Sequence, residues 1–401
     1  MKATARVQPG PLALAAVCAV VGLLVVRSPS LAIVAVAVGI GSLLPAWSLL
    51  VASLVTARGF DILLPRTGAG GWQSASALLA LLAIAKWSIA RRGSGQRWVN
   101  HISVLIGLLI GWLIVASAAA GTSFTAPLRL IPFALVPIAY YCEEPGEDRM
   151  LRGVIWFAIA EVVLSLGQVT KRLEGVHIQD PHQMGFLLVA ALALVTSHTV
   201  TMRYPRLVVA FLLLAILATR TRGVWLAAIV LLALLLLPGA TGSRALAIAL
   251  GSVAIGALLF TPLTRAFDLN PHSADVRTES VSAGLQEAKT HPVVGVGWSS
   301  IPVVPGVEHA PGDRPYDLFV FLAVVGGFPA AVLALLLTVS GARLAARRHF
   351  GALLFFGAFI AFSVSEATLY PGSLTAPLFF LFLALAVAGA PNTRRLIRAR
   401  E

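Results

Sequence analysis

The segment 262–316 holds most of the residues of this 401-residue chain that could perform chemistry, and it is the longest segment too polar to lie in a membrane. A guanidinium group binds phosphate oxygens through paired hydrogen bonds, and a histidine or carboxylate can accept a hydroxyl proton. Polar residues in a loop rich in proline and glycine are, however, usually just solvated. The groups concerned are Arg277, Glu279, Glu287, His291, Glu308, His309, Asp313 and Arg314.

Two further arginines, Arg220 and Arg222, interrupt the hydrophobic run 207–237. Charges at a membrane boundary are costly unless they reach the headgroups or find a partner. Arg220 suits a headgroup-level cap between two helices as well as it suits an anion ligand. Arg222 is better placed to project into a shared cavity, because Gly223 permits a tight turn and the planar guanidinium fits a phosphate.

The composition excludes a soluble globular protein, because 58% of the residues are hydrophobic, 12% are charged and the mean hydropathy is +0.89. The net charge of +13 could indicate a nucleic-acid partner. The basic residues instead form short clusters beside apolar runs, as the positive-inside rule requires, so we expect a lipid bilayer as partner and no nucleic acid. Cys18 and Cys142 offer neither a disulfide framework nor a metal site, and we expect no metal or cofactor.

The apolar runs predict an all-α polytopic membrane protein with about 12 transmembrane helices and one large extracytoplasmic loop. Thirteen runs would place the two termini on opposite sides, so we favour twelve crossings with both termini inside and a retained first span. The runs are 11–26, 31–57, 72–90, 99–118, 125–142, 151–170, 183–201, 205–219, 223–238, 244–262, 317–340, 350–369 and 372–390.

Arginine clusters near 91–97, 343–348 and 394–400 fall on one side by parity, and we assign that side to the cytoplasm. The loop 263–316, the connector 171–182 and the turn 219–222 then lie together outside. We divide the chain into N-terminal transmembrane helices (1–170), central transmembrane helices (171–262), the extracytoplasmic loop (263–316), and C-terminal transmembrane helices with a basic tail (317–401).

Within the loop, the segment 277–289 predicts an amphipathic helix on the outer surface, with Val281, Leu285 and Ala288 at helical spacing. His291-Pro292 ends it, and the run Val-Val-Gly-Val-Gly-Trp at 293–298 combines apolar residues with glycines that allow close backbone approach. We expect His291 to be structural rather than catalytic. His182, after a helix-starting Asp-Pro pair, faces the same side as the loop.

Over roughly 170–340, this combination resembles the O-antigen ligase and polymerase family. The shared features are Thr-Arg-Gly at 221–223, Arg277 ahead of a short helix, the His-Pro-Val-Val-Gly-Val-Gly run, and a helix opening between Tyr316 and Gly326. Asp-Pro-His at 180–182 is similar to a family Asp-Pro-Asn. The resemblance implies a multi-span fold of the GT-C-like kind in the bacterial cytoplasmic (inner) membrane, with its active site facing outside.

The resemblance further implies transfer of a saccharide from an undecaprenyl-diphosphate-linked donor to a hydroxyl of an acceptor glycan or lipid, without metal. Arg222 and Arg277 match the family's diphosphate-binding arginines, and Arg220 and Arg314 are added as candidates. The family's loop histidine falls on Pro315-Tyr316 here. His309, Asp313 or Asp317 is therefore expected to supply the base. His182 and His291 are other candidate site residues, to which no role is assigned.

Two other functions compete with glycosyl transfer. A transporter or flippase of polyprenyl-linked or anionic substrates would carry charged residues deep in its spans, and Glu161 and Glu366 are the two carboxylates within apolar runs that fit this. A non-catalytic scaffold for glycan assembly would be consistent with the missing histidine. Ligase and polymerase activity are not distinguished by the sequence.

Overall fold

A computed structural model describes residues 41, 43–57, 68–91, 100–140, 146–168, 172–236, 251, 272–298, 317–370 and 372–389, and these form helices and connectors without a strand. The helices are α1 (Ala46–Thr56), α2 (Gly68–Arg91), α3 (His101–Ala119), α4 (Thr125–Ala134), α5 (Val136–Ala139), α6 (Gly146–Leu164), α7 (Pro181–Thr196), α8 (Pro205–Ala218), α9 (Arg222–Leu235), α10 (His272–Thr290), α11 (Leu318–Arg348), α12 (Phe350–Ser363) and α13 (Thr375–Ala388).

The prediction of an all-helical protein is confirmed for the described residues, and their apolar helices are consistent with a membrane protein. By length and composition, α3 and α11 could each cross a bilayer, and eight further apolar stretches of 10–17 residues are shorter than a full crossing. The predicted runs 11–26 and 244–262 lie outside the described residues, apart from residue 251. The count of about twelve spans therefore stays a prediction.

The core is centred on α7, in which every residue from Gln183 to Val195 is buried. Phenylalanines from α7, α12 and α13 stack around it. Phe355 and Phe382 lie face to face with centroids 3.9 Å apart, and Phe186 stacks on Phe362 at 4.7 Å. Such aromatic pairs contribute beyond their buried area, so this cluster fixes the mutual positions of the three helices.

The connectors of these helices form two groups, one at each end of the bundle. At one end, the turn after α7 meets the start of α12, since a Cβ on Gly351 would come within 2.6 Å of Ser197 Oγ, and Arg348 donates to Val387 O at 2.9 Å. At the opposite end, the connector 172–180, the turn 219–221 and the loop 364–374 come together. The expected co-location of the connector 171–182 and the turn 219–222 is thus seen in their described parts.

The longest helix, α11, is broken at Gly327, whose φ of 71° and ψ of 176° are not helical. Pro329 follows within the next turn. A break of this kind leaves backbone groups unpaired, and such groups are tolerated in a membrane protein only where other parts of the protein satisfy them.

The run 293–298, the preceding Pro292 and α3 supply those partners. Val296 N donates to Val324 O at 2.8 Å, and Phe328 N donates to Pro292 O at 2.9 Å. Trp112 on α3 donates to Gly326 O at 2.7 Å. The run thus fills the break in α11, and we call it the plug. Glycine is needed where the backbone of the run approaches the helix, because a side chain would clash there.

The helix α10 begins earlier than predicted, at His272, and packs on the first half of α11. Val281 and Ala288 contact the cluster of Val320, Ala323 and Val324. Leu285, which the sequence placed on the same apolar face, is 39% exposed. That part of the predicted stripe was wrong because the contact follows positions 277, 281, 284 and 288, and 285 lies to one side of them.

Substituting Gly295 by alanine is expected to destabilise the fold. A Cβ at this position would lie 2.3 Å from Val324 O, and the φ of +65° already disfavours a side chain. We expect a loss of at least about 2 kcal/mol, since left-handed strain and a backbone clash add. Thermal unfolding of purified protein in detergent measures it.

The control is Gly111→Ala in α3, where a Cβ has nothing within 4 Å. Because alanine favours a helix more than glycine does, this variant should be as stable as the parent or more so. Equal unfolding midpoints for the two variants would contradict the plug.

Candidate functional site

The polar end of the bundle is assembled from five pieces of chain. The amino-terminal turns of α7 and α9 meet the connector 172–180, the loop 364–374 and the face of α10 that carries Arg277. Asp180 caps α7 by accepting hydrogen bonds from His182 N at 2.9 Å and Gln183 N at 3.3 Å. The Asp-Pro pair thus starts the helix as predicted and fixes where His182 stands.

Glu366 is the centre of this end. Arg277 donates to Glu366 Oε1 at 2.8 Å and to the carbonyl of Ser365 at 2.8 Å. His182 Nδ1 lies 2.5 Å from the same Oε1 atom. Glu366 does not lie within a helix, because α12 ends at Ser363 and the carboxylate belongs to the loop that follows.

Gln183 holds the loop 364–374 in place. Its amide oxygen accepts from Leu374 N at 2.7 Å, and its Nε2 donates to Asp180 Oδ2 at 3.0 Å and to Tyr370 Oη at 3.1 Å. The Gln183 side chain is buried, where water cannot reach it, so these three hydrogen bonds satisfy its polar atoms. Gln183 therefore links the start of α7 to the loop that carries Glu366.

Arg222 is positioned by the residue that follows it. A Cβ on Gly223 would lie 2.1 Å from Ser365 Oγ and 3.1 Å from Ser365 Cβ. Only glycine lets the first turn of α9 lie this close to the loop beside Glu366. The Thr-Arg-Gly sequence is thereby explained: the glycine brings the Arg222 backbone against the site.

Arg172 joins the connector to the turn before α9. It donates to the carbonyl of Thr219 at 3.1 Å and to Thr221 Oγ1 at 3.1 Å, and one of its terminal nitrogens lies 3.5 Å from His182 Nε2. Burial lowers the pKa of the Arg172 guanidinium, although it stays charged at neutral pH. Arg172 thus orients the turn that leads into Arg222.

Three guanidiniums and three carboxylates meet at this end. Arg172, Arg222 and Arg277 lie within electrostatic range, since Arg277 repels both of the others. Glu174, Asp180 and Glu366 attract Arg172, and Glu366 also pairs with Arg277. Three guanidiniums in partly buried surroundings offer the donors that suit an anion with several oxygens.

Glu161, the second carboxylate of interest, stabilises the connector. It is 1% exposed, and its Oε1 lies 2.5 Å from His177 Nδ1, while Oε2 accepts from His177 N at 3.2 Å. Gly175, at a φ of +80°, passes directly over the carboxylate. The pair ties α6 to the connector that carries Arg172.

The structure brings together Arg222, Arg277 and His182 among the predicted site residues. Arg220 is exposed, with a φ of +49°, in the turn between α8 and α9. His291 lies at the exposed end of α10, where Nδ1 is 3.1 Å from Glu287 Oε1. His309, Asp313 and Arg314 lie outside the described residues.

Asp317 caps α11. Its Oδ1 accepts from Phe319 N at 2.8 Å and from Val320 N at 2.9 Å. Burial raises the pKa of the Asp317 carboxyl, and the two backbone hydrogen bonds act in the opposite direction. The carboxylate oxygen that holds the cap is engaged, so any proton transfer by Asp317 would compete with the helix start.

Sequence reasoning missed Arg172, Gln183 and Ser365, and it assigned Glu366 to the wrong setting. A glutamine within the first turn of an otherwise apolar span was the available signal for Gln183, because a buried amide needs partners. Arg172 lies in the connector 171–182, which the sequence already placed on the same side as the turn 219–222, but the residue itself was not singled out. Ser365 left no signal, because its role depends on its distance from Gly223.

The closeness of Gly223 to Ser365 gives a test by double substitution. Gly223→Ala should push α9 away from the loop, displace Arg222 and lower activity in a glycan-transfer assay. Ser365→Gly removes both clashing atoms, so the double variant should recover a substantial part of the loss.

The matched control is Gly107→Ala in α3, where a Cβ meets nothing within 4 Å. If Gly223→Ala is as active as this control, the close packing of α9 does not position the site. Recovery is judged against Ser365→Gly alone, so that any effect of removing the hydroxyl is accounted for.

Comparison with known families gives one match. Residues 207–335 match the family described as O-antigen ligase. The match spans α8, α9, α10 and the first part of α11, and so includes Arg222, Arg277 and the plug. No curated protein matches the chain. The expected resemblance is confirmed over this region.

Proposed function

We propose, from the premise that residues 207–335 form an O-antigen ligase-family domain, that this membrane-embedded protein is a glycosyltransferase. It transfers or polymerises a saccharide from an undecaprenyl-diphosphate-linked donor to a hydroxyl of an acceptor glycan or lipid. The observation that carries the proposal is the cluster of Arg172, Arg222 and Arg277 around Glu366 at one end of the bundle.

The diphosphate is the part of the donor that this cluster suits. Breaking the bond from the anomeric carbon to the diphosphate leaves negative charge on the departing oxygen. Arg222 and Arg277 neutralise that charge, and the partly dehydrated surroundings strengthen the attraction. Arg172 keeps the turn before Arg222 in place, and Arg220 and Arg314 are further ligands for the phosphates or the lipid headgroups.

The proposed orientation of the protein in the membrane follows the distribution of its arginines. The cluster lies at the end of α8 opposite Arg203, about 21 Å away along a helix of this length. We place Arg203 and Arg348 at the cytoplasmic surface and the cluster at the outer surface of the bacterial inner membrane. The segment 263–316 is then the extracytoplasmic loop, between the transmembrane helices of 171–262 and 317–401.

The transporter alternative gains no support from the two carboxylates that motivated it. Glu366 belongs to a loop, and Glu161 contacts the connector through His177. Both therefore serve the polar end of the bundle rather than the middle of a pathway. A scaffold without catalysis would bind the donor through the same arginines but form no glycosidic bond.

Replacing Arg277 or Arg222 tests the diphosphate role. Arg277→Ala and Arg222→Ala should each lower glycan transfer about 100-fold or more, a loss typical when one preorganised donor to a developing charge is removed. Lysine at either position should retain part of the activity, because it keeps the charge and loses the paired geometry. Transfer by purified protein from an undecaprenyl-diphosphate glycan measures it.

Two controls accompany these variants. Arg203→Ala controls for the loss of any arginine: it removes an exposed arginine at the other end of α8 and should leave transfer unchanged. Arg277→Ala combined with Glu366→Gln separates binding of the donor from neutralisation of Glu366, because it removes the ion pair as a whole. Full activity in this double variant would mean that Arg277 serves only Glu366, which would contradict the diphosphate role.

A further inference from the structure

The arrangement around His182 resembles that of a histidine prepared to accept a proton. Its Nδ1 lies 2.5 Å from Glu366 Oε1, and its Nε2 lies 3.5 Å from a terminal nitrogen of Arg172. The imidazole thus has a carboxylate at one nitrogen and a guanidinium at the other.

These two neighbours favour one tautomer. A carboxylate accepts hydrogen bonds and a guanidinium only donates them. The proton of a neutral ring therefore belongs on Nδ1, facing Glu366, which leaves the lone pair on Nε2. The Nδ1 atom is buried and is not in hydrogen-bond alignment with the carboxylate, as is common in sites that tighten when substrate binds.

The ring is accessible as well as oriented. The His182 side chain is 23% exposed, whereas that of Glu366 is 14% exposed. Asp180 and Pro181 start α7 immediately before it, so the backbone of His182 belongs to a rigid first turn. The contact between Nε2 and Arg172 is longer than an ordinary hydrogen bond and leaves room for competition by a hydroxyl.

We infer that His182, oriented by Glu366, is the general base for the acceptor hydroxyl; this rests on the glycosyl transfer proposed above. The hydroxyl proton passes to Nε2 as the oxygen bonds to the anomeric carbon. The bond from that carbon to the diphosphate breaks, and its electron pair leaves with the lipid diphosphate. Glu366 stabilises the imidazolium that forms, and Arg277 holds Glu366 in place.

In this proposal the proton acceptor lies at the start of α7 and not in the loop. The position of the loop histidine that the resemblance implies is occupied by Pro315, which has no group that can accept a proton. His182 lies between Glu366 and Arg172 instead.

The test is His182→Asn, which restores the family residue and keeps a polar side chain without a proton acceptor. We expect transfer to fall about 100-fold or more, the range that general-base catalysis contributes. Binding of the undecaprenyl-diphosphate glycan, measured at equilibrium, should change less than about threefold. Glu366→Gln should lose less than His182→Asn, because it retains hydrogen bonding and loses only the charge.

One further measurement distinguishes a base from a structural residue. Added imidazole should partly restore transfer by His182→Ala, and should do nothing for Arg172→Ala.

Full transfer by His182→Asn would overturn the inference, and loss of transfer in His309→Ala with His182→Asn unaffected would assign the base to the loop instead. Absence of transfer by the parent protein under conditions where it binds donor would refute the proposed glycosyl transfer itself. The two failures are therefore distinguishable.

Discussion

The polar end of the bundle depends on the ion pair between Arg277 and Glu366. An arginine beside a membrane is costly without a partner, and a carboxylate is equally so. The pair joins α10, which comes from the polar segment, to the loop after α12. Gln183 fixes the same loop and Gly223 packs against it, so the loop that this ion pair anchors lies beside both His182 and Arg222.

The three guanidiniums are the feature on which the proposed function rests. They lie among the carboxylates of Glu174, Asp180 and Glu366. Guanidinium groups suit an anion with several oxygens. Arg222 and Arg277 both lie within the O-antigen ligase match over 207–335.

Much of the fold followed from the sequence, because apolar runs in a membrane protein have few structural options. Apart from α10, which lies in the polar segment, the helices from α2 onward coincide with predicted apolar runs. The side shared by the connector and the turn was foreseen from arginine placement. Contacts between distant segments were not foreseeable. The packing of Gly223 on Ser365 and the three bonds of Gln183 depend on how helices far apart in the chain pack. Leu285 was misplaced because spacing alone does not say which of two adjacent stripes meets a neighbour.

The break in α11 has a consequence for how the protein is made. Val324, Gly326 and Phe328 acquire partners only after α3 and residues 292–298 have reached them. Until then, the nascent helix carries unpaired backbone groups, each of which costs several kcal/mol in apolar surroundings. Insertion of α11 in a membrane is therefore expected to depend on the packing of these partners against the break. Variants that weaken the plug would therefore be lost to proteases that degrade poorly inserted chains, and the amount of protein in the membrane would fall before any change in catalytic rate could be measured.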